Sequence, residues 1–225
     1  ESDTEFSSFG SRKWTRKRFQ AKCNAFAKTI FWIKDSYGSL PDVIGLAEIE
    51  NRNVLYRLLK DTALKKTDYA FIHFDGNDRR GIDVAILYRK SVMTPSSITR
   101  RQPLTDDGDT LQTRDMLNVH MNLKSASEGH QGIYFIVNHH PSKYGGEEES
   151  RIKRHFAMKT LKSLVDSLNT VSPGQKIIVM GDFNDTPDSE PFEIISQVLV
   201  NKGFPLHEKG LGTIRYEGKW DLIDM

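Results

Sequence analysis

The stretch that most restricts the possible folds is 176–191, KIIVMGDFNDTPDSEP, because an apolar run ends there in a group of polar side chains. Ile177 to Met180 is short, apolar and rich in β-branched residues, which predicts a strand buried on both faces. Open α/β sheets bind ligands at the carboxyl ends of strands, and oxygen donors suit Mg²⁺ or Ca²⁺. An ordinary turn before a helix over Ser189 to Val200 explains the same residues equally well. The polar residues concerned are Asp182, Asn184, Asp185 and Asp188.

The composition is that of an ordinary soluble domain. The 225 residues, 37% hydrophobic and 28% charged, can form one buried core without a linker, so we predict a single domain over residues 1–225. No apolar run approaches the roughly 20 residues of a membrane span, and no signal peptide is visible. We expect a soluble monomer, and the sequence leaves open whether it is cytoplasmic or secreted with its leader removed. Cys23 is the only cysteine, which excludes an internal disulfide framework and cysteine-based zinc sites.

The charge distribution gives only a weak indication of partners. The net charge is +2, lower than most nucleic-acid-binding domains carry, although local patches matter more than totals. Two basic patches, Arg12 to Arg18 and Arg151 to Arg154, lie at predicted helix starts. We interpret both as solvated helix faces.

Helical and strand patterns alternate along the chain. Apolar spacing of three or four predicts helices over Trp14 to Tyr37, Val54 to Lys65 (capped by Asn51) and Ser150 to Leu168. The strand runs are too short for βαβ crossovers, which favours mixed or antiparallel sheets packed face to face, with helices outside. The segments between strands, GNDRRG, TDDGD and SASEGHQG, are typical of turns. Further strands are predicted over Asp42 to Leu46, Tyr69 to Phe74, Ile82 to Tyr88, Leu117 to Leu123, Ile133 to Val137, and in a hairpin over Thr213 to Tyr216 and Trp220 to Met225.

Distant strands end in groups that could bind a ligand or transfer a proton. Each group alone has an ordinary explanation, such as a solvated carboxylate, a turn before a proline or an exposed edge residue. Their recurrence favours a shared site. The groups are Glu48 after DVIGL, His139 and His140 after YFIVN, Asp182 and Asn184 after IIVMG, and Asp224 after LI.

These segments resemble, in order, motifs of the endonuclease/exonuclease/phosphatase superfamily, which includes DNase I and exonuclease III. PDVIGLAE (41–48) is similar to its "PDVIxLQE" segment, and RGIDVAILYR (80–89) to its "GVAILYR" strand. IVNHHPSKYGG (136–146) is similar to its "VNTHL" strand end, GDFND (181–185) to "GDFN", and WDLID (220–224) to the strand with a late catalytic aspartate. The resemblance implies a DNase I-like four-layer α/β sandwich with two mixed β-sheets, and metal-dependent hydrolysis of phosphate esters.

The resemblance also implies roles for particular residues. Glu48 would bind Mg²⁺ (Mn²⁺ or Ca²⁺ being possible substitutes), Asp182 would orient or deprotonate water, and Asn184 would hold the phosphate. Asp224 would bind metal or support catalysis. Asp182 would also contribute to the metal site. One histidine would stabilise the phosphoryl oxygens. The remaining proposed phosphate contacts are Arg80 and Lys143, for which a surface role is equally compatible.

The choice of histidine depends on the alignment of the motif. Similarity to "NTHL" selects His140, whereas similarity to an "NHWPSR" variant selects His139. Strand alternation allows only one of them to face the site, and we favour His139.

Two departures from the family pattern leave alternatives open. The first family strand, with its metal-binding asparagine, and the last, with its "SDH" histidine, have no counterpart in 1–225, so we expect a domain incomplete at both ends. The main prediction is a phosphodiesterase or nuclease, or else a phosphatase, acting on a phosphate-ester substrate such as DNA or RNA. The alternative is a binding module that keeps the fold but lacks the chemistry.

Overall fold

The computed structural model describes residue 5 and residues 7–78, 80–125, 132–143 and 146–225. Its helices are α1 (Arg16–Tyr37), α2 (Arg52–Asp61), α3 (Glu147–Val171), α4 (Glu190–Ser196) and α5 (Phe204–His207), with a 3₁₀ helix at Ala63–Lys66. Its strands are β1 (Val43–Ile49), β2 (Tyr69–His73), β3 (Asp83–Arg89), β4 (Met93–Arg101), β5 (Met116–Leu123), β6 (Ile133–His139), β7 (Lys176–Asp182), β8 (Ile214–Tyr216) and β9 (Lys219–Asp221). Most of the predicted SASEGHQG turn lies outside the described residues.

The helix ends follow from local chemistry. Thr15 caps α1 by accepting the backbone N–H of Arg18, and Gly38 ends the helix in a left-handed conformation that suits glycine. Asn51 caps α2 as predicted, accepting the N–H groups of residues 53 and 54. The predicted end of that helix at Lys65 is wrong, because Thr62 is extended and starts the separate 3₁₀ turn.

The strands form two large sheets and a separate hairpin. The first sheet has the antiparallel order β1-β3-β2, and the second has the order β4-β5-β6-β7, with only β6 and β7 parallel. This agrees with the prediction of mixed or antiparallel sheets, but of the two sheets that the resemblance implies to be mixed only the second is, because every pair in the first is antiparallel. The expectation that no βαβ unit occurs is wrong, because β6, α3 and β7 form one.

Three apolar layers give the predicted four-layer α/β sandwich. The outer face of the first sheet packs on α1 and α2, and the outer face of the second packs on α3 and α4. Between the sheets lies a third core, which includes Ile86, Val119, Phe135 and Val137. No helix in the described part of the chain has the length and apolar character of a membrane span.

Two strands differ from the predictions. β7 is not buried on both faces, because it ends the sheet in the described chain and Ile178 is 43% exposed. β4 was not predicted at all, since MTPSSITRR is polar and contains Pro95, which usually argues against a strand. An edge position and an irregular register between Pro95 and Ser97 accommodate that proline.

Candidate active site

Residues that are far apart in sequence meet along one edge of the second sheet, the edge formed by the carboxyl ends of β6 and β7. β6 and β7 run parallel with His139 opposite Asp182. The C-terminal segment lies against the end of β7, where Asp224 pairs with Asp182 in an antiparallel bridge. Gly181 and Met225 exchange two backbone hydrogen bonds beside that bridge. The ends of β6, β7 and the C-terminal segment therefore meet at one edge.

Glu48 approaches this edge from the first sheet. It lies inside β1, rather than just after the strand as predicted, at a register irregularity between Leu46 and Ile49. Its φ of 60° is uncommon for a residue with a side chain, and bulges of this kind often redirect a side chain near functional sites. Glu48 is exposed, and its charge acts on Asp182. The irregular strand end thus directs a carboxylate towards the second sheet.

The Asp182 carboxyl is the electrostatic centre of this group. Burial raises its pKa to about 6, and the negative charges of Asp224 and Glu48 add to that rise. The backbone N–H of Asn184, 2.9 Å from Asp182 Oδ1, and the positive charge of Arg114 oppose it. Two carboxylates that both repel a partly buried third form with it a set of hard oxygen donors that a divalent cation would stabilise.

The two adjacent histidines occupy different environments. His139 Nε2 lies 3.5 Å from Asp182 Oδ2, whereas the ring of His140 packs edge-on against Phe183, with centroids 5.0 Å apart. Burial and the charge of Arg114 lower the pKa of both histidines to about 3. His139 is therefore neutral at pH 7, and its ring, not that of His140, lies next to Asp182.

Asn184 is held in a tight turn after β7. Its φ of 53° is left-handed, a conformation that asparagine tolerates better than most residues. Its Nδ2 donates to the backbone oxygen of His140 at 3.0 Å. The amide is thus fixed beside Asp182 and the end of β6.

Arg114 is a site residue that the sequence analysis missed. Its side chain is 4% exposed; Nη1 lies 3.3 Å from Asp78 Oδ2, and Nη2 donates to the His140 oxygen at 3.1 Å. No described residue accepts a hydrogen bond from its buried Nε. Arg114 precedes β5, whose start reaches this edge because β5 is antiparallel to β6. An arginine directly before a buried strand was the available signal, but only the topology shows where that strand begins in space.

The predicted phosphate contacts lie further from Asp182. Arg80 has a half-exposed side chain, with Nε 3.7 Å from Asp78 Oδ1, and its charge helps to lower the pKa of His139. Lys143 Nζ lies 3.6 Å from Asp185 Oδ1. Both basic side chains border the site.

The polar cluster predicted after β7 divides into two parts. Asp182 and Asn184 belong to the site, but Asp185 is buried against Arg154, with Oδ2 2.6 Å from Nε. Asp188 pairs with His207 at 3.1 Å. The interpretation of 151–154 as a solvated face is wrong for Arg154, whose side chain is 1% exposed.

Sequence comparison identifies the family. The Endonuclease/Exonuclease/phosphatase family matches residues 1–225. The chain belongs to this family. No curated protein sequence matches it significantly.

Solved structures share the fold of this family member at low identity. The human Nocturnin catalytic domain is 15% identical with a TM-score of 0.55, and the match covers 80% of this chain and 62% of that one. Truncated Caenorhabditis elegans TDP2 is 16% identical with a TM-score of 0.55, over 84% and 62% of the two chains. A Bacteroides thetaiotaomicron mannosyl-6-phosphatase is 14% identical with a TM-score of 0.58, over 80% and 62%. The chain therefore spans less than two thirds of these relatives, which support its DNase I-like fold.

Proposed function

We propose that this domain is a divalent-metal-dependent phosphoesterase, with a nuclease or related phosphodiesterase activity favoured over a phosphomonoesterase activity. The convergence of Glu48, Asp182 and Asp224 beside a neutral His139 carries the proposal. Relatives that share the fold include a phosphatase. Phosphoryl transfer depends mainly on positioning and on stabilising negative charge, which suits this combination of groups.

The carboxylates of Glu48, Asp182 and Asp224 would hold Mg²⁺, or Mn²⁺ or Ca²⁺ in its place. When bound, the ion supplies Lewis-acid polarisation of the phosphate and stabilisation of the leaving oxygen. The oxygen-only donor set and the repulsion of Asp182 by Glu48 and Asp224 fit such an ion.

The remaining groups would act on water and phosphate. Asp182 would orient the attacking water and accept its proton, because burial raises its pKa to about 6, close to neutral pH. His139, kept neutral by burial and the Arg114 charge, can donate one hydrogen bond to a phosphoryl oxygen. Asn184 and Arg114 supply further donors beside it, and Arg114 brings a positive charge.

Exposed basic residues at the same edge favour a phosphodiester substrate that is part of a polyanion. Arg100 and Arg101 end β4 at this edge, because Arg101 pairs with Met116 at the start of β5. Arg80 and Lys143 border the site with half-exposed side chains. A nucleic-acid substrate would make activity fall steeply with salt, while a small phosphomonoester would show little dependence.

The decisive experiment is an activity screen of the full-length protein. Plasmid DNA, RNA, inositol phosphates, sphingomyelin and a sugar phosphate are compared with Mg²⁺ and with excess EDTA. Asp182→Asn should lower turnover by about 10²- to 10⁴-fold, the range of a general base. Asp188→Asn, in the same loop but paired with His207, should leave turnover unchanged.

Turnover that persists in EDTA, or in Asp182→Asn at the wild-type rate, would refute the proposal. A protein that binds phosphate esters but turns over none of them would instead be the binding module.

A further inference from the structure

A second group of potential metal ligands lies at the ends of β2 and β3. His73 ends β2, Asp83 starts β3, and Asp75 lies in the segment between them. One ligand atom of each lies within 4.8 Å of the others. His73 pairs with Ala85, so strand alternation places His73 and Asp83 on the same face of the sheet. This group shares no residue with the proposed catalytic site.

His73 is an independent indication that something binds here. It is 1% exposed, and neither ring nitrogen has a hydrogen-bond partner among the described residues. Its Nε2 lies 3.5 Å from Asp83 Oδ2, too far for a good hydrogen bond but compatible with two ligands that flank one ion. Buried polar groups without partners are rare and need an explanation, such as an ion.

The Asp83 carboxylate is already oriented. Its Oδ1 accepts the backbone N–H of Gly76 at 3.0 Å, which leaves Oδ2 towards His73. A Cβ at Gly76 would lie 2.5 Å from Asp83 Oδ1, so any larger residue there would have to displace the carboxylate. Hydrogen bonds that fix a ligand carboxylate in this way are typical of metal sites.

The negative charge of the group also favours a bound cation. No described lysine or arginine forms an ion pair with the carboxylate of Asp75 or Asp83. The nearby Arg100 donates instead to the backbone oxygen of Asp75 at 3.0 Å and pairs with Asp115 at 3.3 Å. A divalent ion would neutralise the two carboxylates.

We propose that His73, Asp75 and Asp83 bind a divalent transition-metal ion, such as Zn²⁺. An imidazole ligand favours such ions over Mg²⁺, which the oxygen-only catalytic group would prefer. The ion fixes residues 74–78 after β2, and Asp78 at the end of that stretch is the ion-pair partner of Arg114. Three protein ligands leave a coordination position that water fills.

Cobalt provides a direct test because bound Co²⁺ absorbs visible light according to its ligands. The full-length protein is stripped of metal and titrated with Co²⁺ in excess Mg²⁺, which occupies the oxygen-only site. We expect one Co²⁺ per chain in the wild type and in Asp182→Asn. His73→Gln should weaken binding by at least about tenfold, while His155→Gln, on the surface of α3, should bind as the wild type does.

Wild-type Co²⁺ affinity in His73→Gln would overturn the proposal, as would loss of the Co²⁺ signal in Asp182→Asn. If His73→Gln fails to fold by circular dichroism, Asp75→Asn gives the same test at an exposed position. Unchanged binding in that variant would also overturn it. This readout needs no turnover, so its failure is distinct from failure of the proposed activity.

Discussion

Removing the guanidinium of Arg154 should destabilise the protein far more than removing that of Arg151, three residues earlier on α3. Arg154 Nε lies 2.6 Å from Asp185 Oδ2, and Nη1 lies 3.0 Å from Ser150 Oγ. The Arg154 and Asp185 side chains are 1% and 6% exposed. Arg151 instead pairs with two glutamates at the surface and has a half-exposed side chain.

The expected magnitude follows from this burial. Unit charges about 4 Å apart attract by about 4 kcal/mol at an effective dielectric constant of about 20, and desolvation offsets much of that. Breaking a buried pair from one side nevertheless costs about 3–5 kcal/mol, because a charge stays buried without compensation. Lys143 Nζ, 3.6 Å from Asp185 Oδ1, can compensate in part. We therefore expect about 3 kcal/mol for Arg154→Met and about 0–1 kcal/mol for Arg151→Met.

A double-mutant cycle measured by urea unfolding isolates the pair. Asp185→Asn should also cost about 3 kcal/mol, and the double variant should cost about 1–3 kcal/mol less than the sum of the single variants. Circular dichroism and tryptophan fluorescence should give the same transition. Single-variant costs that simply add, or an Arg154→Met cost equal to that of Arg151→Met, would refute this reasoning.

Two further predictions concern stability. Burial would raise the pKa of Asp68, but hydrogen bonds from Ser91 and a neighbouring guanidinium lower it to about 2. The ionised carboxylate therefore stabilises the folded protein above about pH 4, and this contribution is lost as the pH falls towards 2. Because Asp68 is about one-third exposed, Asp68→Asn should lower the free energy of unfolding by about 1–2 kcal/mol at pH 7, measured in urea. The control Asp42→Asn, at a more exposed position, should lower it by less than about 1 kcal/mol. Equal costs would contradict the lowered pKa of Asp68. Gly181 has a φ of 137°, and a Cβ there would lie 2.0 Å from the Asn138 oxygen. Gly181→Ala should therefore lower the free energy of unfolding by at least about 2 kcal/mol. An unchanged thermal midpoint would contradict this prediction and show that β6 and β7 separate easily.

The sequence alone determined the elements and the main candidate residues, because both leave local patterns. Apolar periodicity located α1, α3 and most strands, and the cap at Asn51 was readable from residue type. The motif order placed Glu48, Asp182 and Asp224 in one predicted site, and the structure brings Glu48 and Asp224 within electrostatic reach of Asp182. Their catalytic roles stay predictions.

The tertiary structure decided which polar side chains are buried and what they contact. Arg114 and Arg154 look like ordinary charged residues in the sequence, yet both are buried because the chain brings them against Asp78 and Asp185. The unsatisfied ring of His73 was equally invisible. Periodicity reports which face of an element is apolar, but the partner of a buried charge comes from a distant segment. Only the tertiary packing of helices, strands and turns fixes that choice.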